Sequence, residues 1–325
     1  MEKLNEQLSH RNIAGSTIKM YIARIKILKK AIDPNGDSDS LDFLKDSDKV
    51  IKYVNTLAFA KKKISYTACM AALSPESKDT VPKEVLEQYT LYRKQLLDLN
   101  KELFAEKSKQ LKTSREEENW LDWKDILKLQ ALYKKKIKDR GYNQSTEGSK
   151  SEADKELMQK LLVISLYTLH PPRRLEYGTM IRISETNYNN LDIVDKQSHN
   201  YIVSTNKKKV RYFSFGDVKS NNKSIIRIPI NNELNKIINM WFNMSTSSSF
   251  LTNTRGDPQT SNGLSKFIID KVFDYTDKKV GANMLRHIFL TNKYKNDTAL
   301  KDKLDTAKMM NHSPATADLY YIKKG

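Results

Sequence analysis

Apolar residues recur at helical spacing over most of the chain. Ile18, Tyr21, Ile22, Ile25 and Leu28 stand at intervals of three and four, as expected of a helix that buries one stripe. Ser16 or Thr17 stands where its cap would be. Lys19, Arg24, Lys26, Lys29 and Lys30 flank the stripe and predict a basic outer face. Val85, Leu86, Tyr89, Leu91, Tyr92, Leu96, Leu97 and Leu103 predict a long helix within residues 82–112, after which residues 112–118 are polar. This change divides the chain into a helical module, residues 1–112, and a larger mixed domain, residues 113–325.

The second part opens on a helix around Ile126, Leu127, Leu129, Leu132 and Tyr133. Residues 140–154 are almost free of apolar side chains and predict a surface loop. An apolar helix follows over residues 157–169, stopped by Pro171 and Pro172. Short apolar runs at 180–183, 201–204, 210–215 and 225–230 predict strands, the last three joined by polar turns. Leu234, Ile237, Ile238 and Trp241 then mark a helix capped by Asn231 or Asn232, and the remainder is helical. The expected fold class is mainly α with a small antiparallel β-sheet, that is α+β.

Charge narrows the function. Against 39 acidic residues stand 57 Lys and Arg, a formal net charge of +18, which makes nucleic acid the leading partner. Lysine runs at 61–63, 134–136 and 207–209 suit contacts to phosphates. Cys69 is the only cysteine, which excludes an internal disulfide and a cysteine-based zinc site. None of the five histidines pairs at i, i+4, so neither a metal nor another cofactor is expected. The start MEKLNEQLSHRN lacks a signal-like apolar stretch, and no run reaches the roughly 18 apolar residues of a membrane span. An intracellular protein is expected, with nucleus and cytoplasm undistinguished.

Cutting a phosphodiester without metal requires cations on its non-bridging oxygens, a nucleophile in line and a proton donor for the leaving oxygen. Arginine suits the first task, since its planar fork stays charged and binds two oxygens. Arg173 lies in HPPRRLEY, where a helix can begin after the double proline and Glu176 would sit one turn on. Arg286 lies in GANMLRHIFLTN, with Asn283 three residues earlier on the same helical face. Ser313 and Pro314 form a cap and first-turn pair that would place Tyr320 and Tyr321 on a short terminal helix.

These segments resemble the tyrosine recombinase (phage-type integrase) family. LYTLHPPRRLEY is similar to its first arginine box, NMLRHIFLTN to its second, and MMNHSPATADLYYIKK to its terminal box. STIKMYIARIKILKKAI more loosely resembles the family's helical core-binding domain. The resemblance implies a C-shaped clamp on double-stranded DNA, a homotetramer on that DNA and a 3′-phosphotyrosyl intermediate. It also implies that Arg173 and Arg286 hold the scissile phosphate and that His312 and Asn283 support it. A nine-residue count from His312 selects Tyr321 as nucleophile, whereas alignment on Thr316 and Ala317 selects Tyr320. The family's hairpin lysine, which protonates the leaving oxygen, corresponds to Lys219, with Lys223 in the same turn as the alternative.

Asn283 departs from the pattern, standing where the family has histidine. Asparagine cannot take up a proton near neutral pH, so a general base, if one is used, would be His287 or His312; the alternative is that the two arginines and the phosphate lower the barrier by electrostatics alone. The boxes are most like those of integrases from large DNA viruses and their mobile elements. Two other readings stay open: DNA relaxation of the type IB topoisomerase kind, and a recombinase-derived DNA-binding protein that has lost activity.

Overall fold

The computed structural model describes residues 2–11, 13–37, 39–74, 82–142, 151–205, 211–216, 224–295 and 298–324. The chain forms two compact units, Met1–Lys107 and Ser108–Gly325. Among the described residues no helix is long and apolar enough to cross a membrane.

Unit 1 contains α1 (Glu2–Ser9), α2 (Gly15–Ile32), α3 (Ser47–Asn55), α4 (Phe59–Leu73) and the long α5 (Lys83–Ser108). Ile18, Ile25 and Leu28 are buried with Leu8, Val50, Val54 and Tyr66, so the helical stripe of the sequence is its core. The cap of α2 differs from expectation: Ala14 is the N-cap, without a side-chain bond, and Ser16 and Thr17 lie inside the first turn. Lys29 also departs from the expected basic face. It is buried, paired with Asp33 at 3.3 Å, and its ammonium lies 5.6 Å from the Phe43 ring centre. Lys19, Lys26 and Lys30 remain exposed, as do Lys61 and Lys63 on α4.

Unit 2 is built around α8 (Glu152–Thr168), which packs against α7 (Trp123–Asp139) and α11 (Asn232–Met244). Residues 157–167 of α8 are all buried, the pattern of a helix enclosed on every side. Its start, capped by Ser151, lies within the polar stretch expected to be a loop. Residues 143–150 of that stretch lie outside the described residues. Asn231 caps α11, its side chain accepting from the Leu234 N–H at 2.9 Å.

Four strands make one sheet in chain order: β1 (Ile181–Ser184), β2 (Asn200–Ser204), β3 (Arg211–Phe215) and β4 (Ile226–Pro229). The last three pair antiparallel, as their polar turns require. β1 adds to β2 in parallel, because the chain between them crosses over through α9 (Glu185–Asn190) and α10 (Ile193–Ser198) rather than turning back. The sheet is therefore mixed.

The end of β3 is fixed by close backbone approach at Gly216, where an added Cβ would fall 1.8 Å from the Lys196 carbonyl oxygen. The Gly216 N–H donates to the His199 carbonyl at 3.2 Å and also reaches the Asn200 side-chain oxygen. A side chain there would push apart the strand end that carries Phe215. The chain then passes through α12 (Ser261–Phe267), α13 (Ala282–Lys293), α14 (Leu300–Met309) and α15 (Pro314–Thr316). α15 continues as a wider π turn over Ala317–Tyr321, closed by the Ile322 N–H on the Ala317 carbonyl.

Candidate active site

Three segments of unit 2 converge: the turn after α8, the body of α13, and the chain after α14. The first is not helical. Residues 171–174 run without regular structure into a turn closed by the Gly178 N–H on the Leu175 carbonyl at 3.0 Å. The expected helix fails because carbonyls it would use are engaged elsewhere: the Pro172 oxygen accepts from Arg286 and the Arg174 oxygen from the Tyr167 hydroxyl. Arg173 still reaches Glu176, at 3.4 Å. Its guanidinium carbon lies 3.8 Å from the Phe215 ring centre, a cation–π contact that fixes its plane.

Arg173 and Arg286 are both fully buried. Arg173 Nη1 donates to the Met309 carbonyl at 2.6 Å, and Arg286 Nη1 to the Met310 carbonyl at 3.1 Å. Both acceptors lie at the C-terminal end of α14, where carbonyls have no partner within the helix and the helix dipole is negative. One helix end thus holds both cations. Burial lowers the pKa of each guanidinium; Glu176 opposes this at Arg173, and Tyr321 opposes it at Arg286. Arginine remains charged through such a shift.

The turn after α14 explains the position of His312. Asn311 adopts a left-handed conformation at φ 54°. Its N–H donates to Lys308 and the His312 N–H to Ala307, the paired bonds of a Schellman motif with asparagine at C′. Ser313 then caps α15, accepting from the Thr316 N–H at 3.2 Å with Pro314 in the first turn. Helix stop and helix start are thus two residues apart, and His312 is held between them.

Tyr321 is buried, and its hydroxyl accepts from Arg286 Nε at 3.1 Å. The Tyr320 ring lies 5.2 Å from that of His287, and the Tyr321 ring lies 5.0 Å from it. The His312 ring lies 5.3 Å from that of Tyr321. His312 Nδ1 donates to the Ser313 carbonyl at 2.9 Å, and its buried Nε2 has no partner among the described residues. The same holds for Arg173 Nε, Arg286 Nη2 and Glu176 Oε2.

Asn283 stands apart from the arginines. Its side chain is exposed and meets His287 Nε2 at 3.2 Å, one turn along α13. His287 Nδ1 donates to the Tyr321 carbonyl at 3.0 Å, so in the neutral ring Nε2 accepts from the Asn283 amide. Both nitrogens are therefore engaged. Lys219 and Lys223, with the lysine run 207–209, lie outside the described residues. In the run 134–136, Lys134 pairs with Glu233 and Lys136 contacts the Tyr275 hydroxyl.

Burial lowers the pKa of His170, His287 and His312 to about 4 each. The ordinary value is near 6.5, so the unfolded chain takes up these protons first as pH falls. The stabilisation they represent is whole above about pH 6.5 and is lost between there and about pH 4. Each group adds a slope of up to about 1.4 kcal/mol per pH unit. Thermal denaturation should show unit 2 losing stability steeply from pH 6.5 to 4.5, and a flat profile over that window would contradict the burial of these rings.

Sequence reasoning missed Phe215, Arg174 and Glu116. Arg174 Nη1 donates to the Asn311 carbonyl at 3.3 Å, a second tie on the turn that carries His312. Its neighbour in the double arginine was the available signal. Glu116 offered a capping-box pattern, Thr-x-x-Glu, but nothing in the sequence linked it to the tyrosine.

No protein-family model matches the chain, and no characterised protein matches it in sequence. Among solved structures it is similar to a XerA recombinase, at 12% identity and a TM-score of 0.40, covering 98% of this chain and 92% of that one. It is also similar to a XerH site-specific recombinase bound to its difH substrate in a pre-cleavage complex. There the identity is 16% and the TM-score 0.46, with 98% of this chain and 81% of that one covered.

Proposed function

We propose that this protein is a site-specific DNA recombinase that cleaves and rejoins duplex DNA through Tyr321. The observation that carries the reading is the Tyr321 hydroxyl held 3.1 Å from Arg286 Nε, with unpartnered buried N–H groups on Arg173 and Arg286 beside it. Buried donors without partners are costly, and a phosphate oxygen is the acceptor that two adjacent guanidiniums fit best.

In this reading the phenolic oxygen attacks the scissile phosphorus, forming the O–P bond of a 3′-phosphotyrosyl ester as the bond to the 5′ oxygen breaks. Arg173 and Arg286 neutralise the charge that builds on the non-bridging oxygens. The phenol proton passes to His312 Nε2. The ring is neutral at pH 7 and its Nε2 has no partner among the described residues, so the lone pair is open to the proton; the anionic phosphate then stabilises the imidazolium formed, which donates to it. His287 is the weaker candidate, because both its nitrogens are occupied. Asn283 serves by orienting His287. Lys219 supplies the proton for the 5′ oxygen, with Lys223 as its alternative. The ester conserves the bond energy, so rejoining consumes no ATP. Unit 1, with its exposed lysines on α2 and α4, grips the duplex, and four copies assemble on paired sites. The affinity with integrases of large DNA viruses and mobile elements belongs to this reading.

The test requires no knowledge of the target. The protein is incubated with a randomised library of duplexes nicked so that cleavage cannot be reversed, and protein-linked DNA is recovered under denaturing conditions and sequenced. Adducts enriched in one sequence support a recombinase. Adducts at every sequence, with relaxation of any supercoiled plasmid, indicate a topoisomerase instead, and binding without adducts indicates a DNA-binding protein.

A further inference from the structure

The segment that opens unit 2 grips the segment that carries the tyrosine. Gln110, in a left-handed conformation at φ 58°, donates from its side chain to the Asp318 carbonyl at 2.6 Å and accepts at its own carbonyl from the Lys324 N–H at 2.8 Å. The Lys323 ammonium donates to the Leu111 carbonyl at 3.1 Å, and the Lys323 N–H to Thr291 Oγ1 at 2.9 Å. At the centre stands Glu116, the N3 residue of α6 (Ser114–Asn119). One oxygen accepts from the Thr113 N–H at 2.8 Å and pairs with Lys323 at 3.2 Å. The other lies 3.5 Å from His287 Nε2.

Glu116 and Lys323 are largely shielded, at 15% and 12% side-chain exposure, so their attraction is screened less than that of a surface pair. Lys323 is two residues beyond Tyr321, and His287 holds the Tyr321 carbonyl. A single carboxylate therefore touches the far side of the tyrosine and the ring that supports it. A capping box alone explains only the Thr113 bond.

We propose that Glu116 is a positioning residue, holding the Tyr321 segment against Arg286 through Lys323 and thereby setting the rate at which the tyrosine attacks. This rests on the reading of Tyr321 as nucleophile. It also couples the nucleophile to the stretch that leaves unit 1, because residues 110–116 begin just after the unit boundary at Lys107.

Glu116→Gln separates the roles. Glutamine completes a capping box as well as glutamate does, so α6 should keep its start while the charge that holds Lys323 is removed. In the free full-length protein, hydrogen exchange of the amides of residues 322–324 is expected to quicken, with the melting temperature little changed. On the duplex recovered from the library, single-turnover adduct formation should slow about tenfold, within what small misplacements of reacting groups cost, while DNA affinity stays the same. Lys323→Met should produce the same loss, and the double variant should be no slower than either single one, since both remove one interaction. Unchanged tail exchange, an unchanged or raised rate in Glu116→Gln, or losses that add in the double variant would overturn the assignment. No adduct from the unaltered protein sinks the reading of Tyr321 instead, while adduct formation to which Glu116→Gln is indifferent sinks the role of Glu116 alone.

Discussion

Arg286→Lys should lower the rate of adduct formation by roughly 10²–10³-fold, the cost of losing one preorganised donor to a developing oxyanion. Charge is kept, so any loss reports geometry. Arg286 uses Nε on Tyr321 and Nη1 on the Pro172 and Met310 carbonyls, and retains Nη2 for a further acceptor. A lysine has one nitrogen and cannot hold the backbone, the phenol and a phosphate at once. Alanine is the poorer test, because it would leave two buried carbonyls unsatisfied and lower stability for reasons unrelated to chemistry. The measurement is a single-turnover assay at saturating DNA, with folding checked by thermal denaturation. A lysine variant as fast as the unaltered protein would show that the guanidinium fork has no part in the reaction.

The two tyrosines should separate even more sharply. Tyr321→Phe keeps the ring in its cluster with Leu290, Met310 and Ala317 but leaves the buried Arg286 Nε without its acceptor, a cost of about 1–3 kcal/mol of stability. Adduct formation should nonetheless disappear, since the hydroxyl that Arg286 Nε holds is the one removed. Tyr320→Phe leaves the ring against His287 and should retain most of the activity. Gel-resolved adducts from both variants on one substrate provide the comparison, and the reverse pattern would place the nucleophile at Tyr320.

Much of this candidate site was legible in the sequence because most of its residues stand in local segments. Pro314 after Ser313 marks a helix start, and the structure has that cap. The apolar stripes of α2, α8 and α11 are one-dimensional signals, and they became the cores of the two units. What the sequence did not disclose depends on distant partners. HPPRRLEY reads as a helix start until Tyr167 and Arg286 claim its carbonyls. The parallel pairing of β1 follows from where α9 and α10 carry the chain, which the alternation of residues in β1 cannot encode. Glu116 is 207 residues from Lys323 by their numbers, and only folding brings them together.

On the proposed reading, the position of Asn283 changes the meaning of the one departure from the tyrosine recombinase pattern that the sequence resembles. Its amide faces His287 rather than the arginines, so the residue that replaces a histidine acts on the ring that holds the Tyr321 backbone. On the proposed reading His312, whose Nε2 has no partner among the described residues and whose ring lies beside that of Tyr321, takes the proton. That division of labour depends on Tyr321 being the atom donor in the first chemical step.

Peptide mapping of the trapped adduct tests this most directly. The protein–DNA product is digested with nuclease and protease, and the nucleotide-bearing peptide is sequenced by mass spectrometry. The mass of a 3′-phosphate linkage on Tyr321, in the peptide that contains residues 309–323, is the predicted result. A nucleotide on Tyr320 or on any other residue, or the absence of a covalent product at every sequence in the library, would contradict it.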